Sequence, residues 1–238
     1  MTGAGSESDV EREVRSPRAA GIAGLAFAAL FVLSFLLLRH HPDAGSSAAE
    51  IEVFYLRTNV RRLAIVGLYL APFAGIAFLW FIAVIRDRIG SREDRFFATV
   101  FLGSGLLFVA MFFGAAAAAS APLVGVKFQG SPAPSPDVVV FARGLAYALL
   151  YVYAMRAAAV FIIVVSTIAL RTDALPRWLA FVGYAIAVAL LFGVGYTRWV
   201  VLLFPAWVAA VSVVILLHHR ELERDDHVET TTRARVES

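Results

Sequence analysis

Arg143 and Arg156 are the only charged residues of the chain that have long apolar sequence on both sides. Both belong to the stretch 136–170, which has no proline after its first residue and is predicted to form one long helix. A charge near the centre of a bilayer costs at least about 2.5 kcal/mol on insertion scales, so we expect Arg156 to face a bundle interior or a wet cavity. A guanidinium in such a place could bind the phosphate or carboxylate of an anionic ligand.

The sequence offers Arg156 no acidic partner inside an apolar segment. Asp137 is the only acid within one, and it lies 19 residues away on the same helix, too far to pair. The remaining partners are backbone carbonyls, the Tyr153 hydroxyl one turn back, trapped water or a bound anion. Two interpretations stay open: an anion-binding arginine, or a structural arginine that snorkels or bonds carbonyls freed by Pro72 or Pro205.

A second group of polar side chains lies nearer the start of the same helix. At about 100° per residue, Arg143, Tyr147 and Tyr151 share one face, and Arg156 points roughly 140° away from Arg143. The two arginines therefore do not form one clamp. The face fits either the lining of an outward-facing pocket or ordinary helix packing with tyrosines at a membrane interface. We take Arg156, Tyr153, Arg143, Tyr147 and Tyr151 as the candidate ligand-binding residues.

Other chemistries lack the residues that they need. The chain has no cysteine, which excludes thiolate nucleophiles and cysteine-ligated metals. The histidines form adjacent pairs at 40–41 and 218–219, which diverge on a helix, so we expect no metal site. Ser104 stands between two glycines, but the apolar segments contain no histidine or lysine to act as its base. We expect no cofactor, and no enzymatic chemistry can be named.

Six apolar segments carry these residues. Hydrophobic residues make up 60% of the chain and the mean hydropathy is +0.77, which is more apolar than soluble domains. Each segment is long enough to cross the roughly 30 Å of hydrocarbon in a bilayer. We therefore predict an all-α fold, a six-span transmembrane helical bundle within residues 19–217, with spans at about 19–38, 63–85, 96–121, 136–170, 176–194 and 199–217.

Glycine, alanine and proline shape the third and fourth spans. Span 96–121 is rich in glycine and alanine, which let helix backbones approach closely. We expect this span to end at Pro122, because proline lacks the amide hydrogen that continues a helix. Ser135 and Pro136 are typical of the first turn of the helix that follows.

Basic residues near the span ends predict the orientation. Thirteen of them fall on the side of the two chain ends and six on the other side, although four of those six, at 39 and 57–62, oppose the assignment. Because basic residues favour the cytoplasmic side, both termini are predicted to be cytoplasmic. The polar tails 1–18 and 218–238 are expected to be disordered. Residues 48–62 could form a helix on the membrane surface.

Two runs of the sequence resemble a loose class of uncharacterised multi-pass membrane proteins of actinobacteria. They are LPRWLAFVGYAIAVALL at 175–191 and, before a charged loop, FYLRTNVRRLAIVGLYLAPFAGIAFLWFIAVIR at 54–86. The resemblance covers most of the chain in layout and contains no catalytic motif. It implies a helical bundle of the bacterial inner membrane.

Two functions remain open at this point. The first is a structural or accessory membrane protein that acts by helix–helix contacts, with the small-residue face of span 96–121 as a candidate surface. The second is a lipid- or anion-binding carrier organised around Arg156. Membrane lipids are the expected partners, with an anionic lipid or a small anion at Arg156. The modest net charge of +3 does not suggest nucleic acid.

Overall fold

The computed structural model of the protein describes residues 17–38, 47, 49–50, 53, 58–89, 95–128, 130–172, 175–193 and 198–217. Within these ranges the predicted all-α fold is confirmed, because every regular element is helical. The predicted disordered tails lie almost entirely outside the described residues. Of the predicted surface helix at 48–62, residues 49–50 and 53 are helical, residues 58–62 form the start of α2, and the others lie outside the described residues. The elements are α1 Pro17–Leu38, α2 Thr58–Ile89, α3 Arg95–Phe128, α4 Pro136–Tyr147, a π-helical segment Ala148–Ala154, α5 Met155–Thr172, α6 Arg177–Phe192, a 3-10 turn Arg198–Leu202, and α7 at residues 203–217.

Five helical units are long and apolar enough to cross a membrane. They are α1, α2, α3, the 3-10 turn with α7, and the continuous unit formed by α4, the π segment and α5. We call this last unit, Pro136–Thr172, the central helix; it has 37 residues. The sixth apolar helix, α6, has 16 residues. That length corresponds to about 24 Å, shorter than the predicted span at 176–194.

Neighbouring helices along the chain run in alternate directions; in α1 and α2, for example, Gly24 faces Phe81 and Phe27 faces Phe78. Ring contacts give the register: Phe27 of α1 lies 4.7 Å from Phe78 of α2, and Phe78 lies 5.2 Å from Phe108 of α3, measured between ring centroids. The bundle therefore has two ends. The Pro136 end holds the start of the central helix and the end of α3. The Arg171 end holds the end of the central helix and the start of α3.

Phenylalanine rings fill the middle of the bundle. Five of them come from five different helices and are fully buried. Phe204 of α7 lies 4.6 Å from Phe108, 5.4 Å from Phe78 and 5.7 Å from Phe27 between centroids, and Phe161 of α5 lies 5.2 Å from Phe78. We call these five residues the phenylalanine core. Lipid tails are as apolar as these rings, so in a membrane the packing of ring against ring has to hold the helices together.

Helix α3 passes through Pro122, so the predicted end of this helix at residue 121 is wrong. Proline removes one amide donor, but the turn before it stays bonded. The Ser120 hydroxyl lies 2.7 Å from the carbonyl oxygen of Ala116 and 3.2 Å from that of Ala117. In apolar surroundings a helix is the conformation that satisfies most backbone groups, so α3 continues through the proline with the loss of a single backbone bond.

The end of α3 lies at Phe128 and has a different cause. Gly130 has a φ of 65°, a left-handed conformation that glycine adopts without strain. The amide of Ser131 then donates to the carbonyl of Gly125 at 3.2 Å, which satisfies an acceptor of the last turn. The connection to the central helix is therefore only residues 129–135.

The central helix is continuous but is not regular α-helix throughout, which the sequence did not predict. Between Ala148 and Ala154 the hydrogen bonds run five residues back, as from the amide of Met155 to the carbonyl of Leu150. Ser135 stands at the N-cap position without a capping bond from its side chain. Its carbonyl instead accepts the Val139 amide at 3.2 Å.

Candidate functional site

Arg156 lies in the first turn of α5, and its side chain is exposed. The side chain is therefore not packed inside the bundle, which was one of the two surroundings predicted for it; the other, a wet cavity, stays a prediction. Its Nη1 donates a hydrogen bond of 2.8 Å to the carbonyl oxygen of Val152, one turn back on the same helix. The acceptor is thus neither the Tyr153 hydroxyl nor a carbonyl freed by Pro72 or Pro205.

The bond from Arg156 lies where the backbone hydrogen-bonding pattern of the central helix changes. Amides bond five residues back through the π segment, as from Met155 to Leu150, and four residues back in α5. Val152, the acceptor of the Arg156 side chain, belongs to the turn in which that change occurs. The bond therefore holds the guanidinium against the last turn of the π segment.

Contacts between α5 and α6 fix the height of Arg156 along the bundle. Gly183 of α6 faces Ile162 and Ser166 of α5; a Cβ placed at Gly183 would lie 3.2 Å from Ile162 Cγ2 and would overlap Ser166 Oγ. Because the two helices are antiparallel, the end of α6 at Phe192 reaches the level of Arg156. Above that level, toward the Pro136 end, the central helix has no partner in α6.

Contacts with α7 give the same height. The rings of Phe204 and Phe161 are 6.2 Å apart between centroids. Since α5 and α7 run in the same direction, Trp199 comes level with Arg156. Phe192 is 75% exposed and Trp199 53% exposed at this level. Large exposed aromatic side chains at one height are typical of the boundary between hydrocarbon and headgroups.

The second predicted group lies elsewhere on the central helix. The rings of Tyr147 and Tyr151 stack with centroids 4.5 Å apart and planes 15° apart, as their spacing predicts. Arg143 is half-buried. It precedes Arg156 by roughly 20 Å along the helix axis. The five candidate residues therefore form two separate groups. Arg143, Tyr147 and Tyr151 lie nearer the Pro136 end, and the exposed Tyr153 lies one turn before Arg156.

A further polar cluster, which sequence reasoning missed, lies where α5, α6 and α7 meet. Ser166 is 1% exposed and Trp207 2% exposed, and neither Ser166 Oγ nor Trp207 Nε1 has a hydrogen-bond partner among the described residues. Both atoms point at Gly183: a Cβ at Gly183 would lie 3.0 Å from Trp207 Nε1 and would overlap Ser166 Oγ. We call these three residues the Gly183 contact. They come from three helices, so no spacing within one segment could have revealed them.

Other buried hydroxyls behave differently from Ser166. Ser104 donates to the carbonyl of Phe101 at 3.1 Å, and Ser212 donates to that of Val208 at 2.8 Å. The hydroxyl of Ser104 is thus bonded to its own helix. A search of the described residues finds no group of three metal-binding side chains.

No protein-family model, curated protein or solved structure matches this chain. The class rests on the fold: an all-helical protein with five helices that could span a membrane, by length and composition, and an arginine on the outside of the fourth.

Proposed function

We propose that the protein is a multi-pass protein of the bacterial cytoplasmic membrane with a structural or accessory role, acting by helix–helix contacts with other membrane proteins. The observation that carries the proposal is the phenylalanine core. Rings from five helices occupy the middle of the bundle, where a carrier keeps the path of its substrate. The surface left for function is then the outside of the helices.

The position of Arg156 supports this role over that of an anion carrier. A carrier organised around Arg156 needs the guanidinium inside the bundle, where a bound anion could cross. The side chain is instead exposed and bonded to the Val152 carbonyl.

The outward side of α3 is the surface that best fits such contacts. Gly103, Leu106, Leu107 and Ala110 are exposed there, and a Cβ at Gly103 would meet no atom within 4 Å. Gly105, on the opposite side, is already used inside the bundle, because its Cβ would overlap Ile82. Another helix could therefore approach the α3 backbone closely at Gly103.

Photo-crosslinking in cells tests this surface. We expect a photoreactive residue at Leu107 to crosslink one defined membrane protein, and the same residue at Val188 on the outside of α6 to crosslink none. Both positions are exposed, 51% for Leu107 and 56% for Val188, so lipid access alone cannot produce the difference. Equal crosslinking at both positions, or none at either, would count against the proposed contact.

The proposed orientation has a separate test. The chain has no cysteine, so single cysteines can be labelled without background. Gln129→Cys should react with an impermeant maleimide in intact cells, and Ser91→Cys should react only after permeabilisation. The reverse pattern would place both termini outside.

A further inference from the structure

The guanidinium of Arg156 lies on an exposed surface and has more hydrogen-bond donors than the described residues use. It carries five N–H groups in a planar fork. Within the described residues it makes a single hydrogen bond, from Nη1 to Val152 O, and no ion pair. The bond to its own helix fixes the direction of the side chain and leaves most of the fork without a partner among the residues that the structure describes.

The direction of that bond brings the charge to a specific depth. Val152 lies one turn closer to the Pro136 end than Arg156, so the guanidinium points toward that end. The Arg171 side chain at the other end stacks on Phe97, 4.5 Å from the ring centroid, which fixes a second charge. The separation between Val152 and Arg171 along the helix is about 28 Å. That is close to the roughly 30 Å thickness of bilayer hydrocarbon.

The neighbours of Arg156 suit a lipid better than a soluble ion. Tyr153, 57% exposed, precedes it by three residues on the same side of the helix, and Val160, 37% exposed, follows it by four toward the Arg171 end. A phenol beside the guanidinium and an apolar residue below match a headgroup above its acyl chain.

We propose that Arg156, assisted by the Tyr153 hydroxyl, binds the phosphate of an anionic glycerophospholipid in the leaflet at the Pro136 end. The guanidinium fork donates two parallel bonds to phosphate oxygens, and the phenol donates a third. An anionic headgroup is favoured over a zwitterionic one, because a choline or ethanolamine cation opposes the arginine charge. The proposal rests on the proposed membrane location and assigns the arginine a bound lipid instead of a transported anion.

Native mass spectrometry of the full chain released from nanodiscs of phosphatidylglycerol and phosphatidylcholine tests this site. We expect the wild type to retain phosphatidylglycerol, and Arg156→Gln to hold it roughly tenfold more weakly. Arg156→Lys keeps the charge without the fork and should fall between the two. Tyr153→Phe should show a smaller loss. Arg86→Gln removes the same charge from an exposed arginine of α2 at the Arg171 end; it is the matched control and should retain lipid like the wild type.

A second arm separates a lipid from a free anion. Delipidated protein in an uncharged detergent is heated with inorganic phosphate or with short-chain phosphatidylglycerol. We expect the lipid to raise the unfolding midpoint of the wild type and phosphate to leave it unchanged. An equal rise with phosphate would overturn the lipid assignment in favour of a soluble anion. Equal lipid retention by wild type and Arg156→Gln would overturn the site itself.

Failure of this site is distinguishable from failure of the proposed function. Crosslinking from Leu107 reports on the outward side of α3, and we expect it to be unchanged in Arg156→Gln. Loss of lipid with intact crosslinking supports both proposals. Intact lipid retention without crosslinking supports the lipid site and counts against the accessory role.

Discussion

The two ends of the central helix are built from similar residues but lie in different surroundings. In α5, eleven of 18 residues are buried, whereas in α4 only Val139 and Ala142 of 12 are. Helix α5 packs against α3 on one side and α6 on the other, while α4 and the π segment have α3 as their main neighbour. Both ends are apolar, so the difference in burial between α4 and α5 comes from the number of helices that pack against each and not from their residue types.

The π segment lies at the boundary between these two environments. Helix α6 ends at the level of Arg156, and above it α4 exposes Val138, Phe141 and Leu145. An extra residue in a helix turns the following face by about 100°. The segment therefore lets α4 and α5 each direct an apolar face toward α3 even though their other neighbours differ.

A pair of phenylalanines on the central helix gives the largest expected contrast. Phe161 is fully buried in α5, and Phe141 is 72% exposed in α4. We expect Phe161→Ala to lower the free energy of unfolding by about 3–5 kcal/mol, because it opens a cavity in the phenylalanine core. Phe141→Ala should change it by less than about 0.5 kcal/mol. Denaturant titration in detergent micelles measures both; similar losses in the two variants would show that α4 is packed against something.

A pair of glycines tests the same contrast between inside and outside. Gly183→Ala pushes a methyl into Ser166 Oγ and toward Trp207 Nε1, and we expect a loss of about 1–3 kcal/mol from overpacking. Gly103→Ala meets open space, and the better helix propensity of alanine should stabilise by about 0.5–1 kcal/mol. Thermal unfolding followed by circular dichroism compares them. A neutral Gly183→Ala would mean that α6 can move away from α5 at little cost.

The sequence predicts the helices of this fold better than it predicts what they face. Long apolar runs between charged segments located all six helices, because such runs leave the backbone no satisfactory alternative in an apolar phase. The predicted end of α3 at residue 121 is wrong for the same reason. The rule that proline stops a helix comes from chains in water, where solvent can bond the freed carbonyl; α3 instead continues through Pro122.

The environment of Arg156 depended on a feature without a sequence signal. The residues of the π segment, ALLYVYA, are equally typical of regular α-helix, so the sequence does not predict the change of hydrogen bonding between Ala148 and Ala154. The sequence alone places Arg156 in an ordinary apolar helix, where a charge is expected to need the bundle interior or a wet cavity. The Gly183 contact was invisible for another reason: Ser166, Gly183 and Trp207 are separated along the chain and meet only when three helices pack.

Two buried serines sharpen the contrast between satisfied and unsatisfied polar groups. Ser166 Oγ has no partner among the described residues, whereas Ser212 Oγ donates to Val208 O at 2.8 Å. We expect Ser166→Ala to raise the free energy of unfolding by about 1 kcal/mol, since it removes a buried hydroxyl that gains nothing in return. Ser212→Ala should lower it by a similar amount, about 0.5–1.5 kcal/mol. Losses in both variants would indicate that the Ser166 hydroxyl does have a partner in the folded protein.

The smallest expected effect on stability belongs to Arg156, where the packed half of the central helix ends. Arg156→Leu removes one bond between an exposed side chain and its own helix, so the free energy of unfolding in a lipid-free micelle should change by less than about 0.5 kcal/mol. Denaturant titration without lipid measures this change in the free energy of unfolding without a contribution from a bound headgroup. A loss near 3 kcal/mol, the usual consequence of breaking the contacts of a buried ion, would instead place the guanidinium inside the bundle. That result would support an arginine inside the bundle, and with it the carrier, because only a buried arginine would lower the free energy of unfolding so much when its charge is removed.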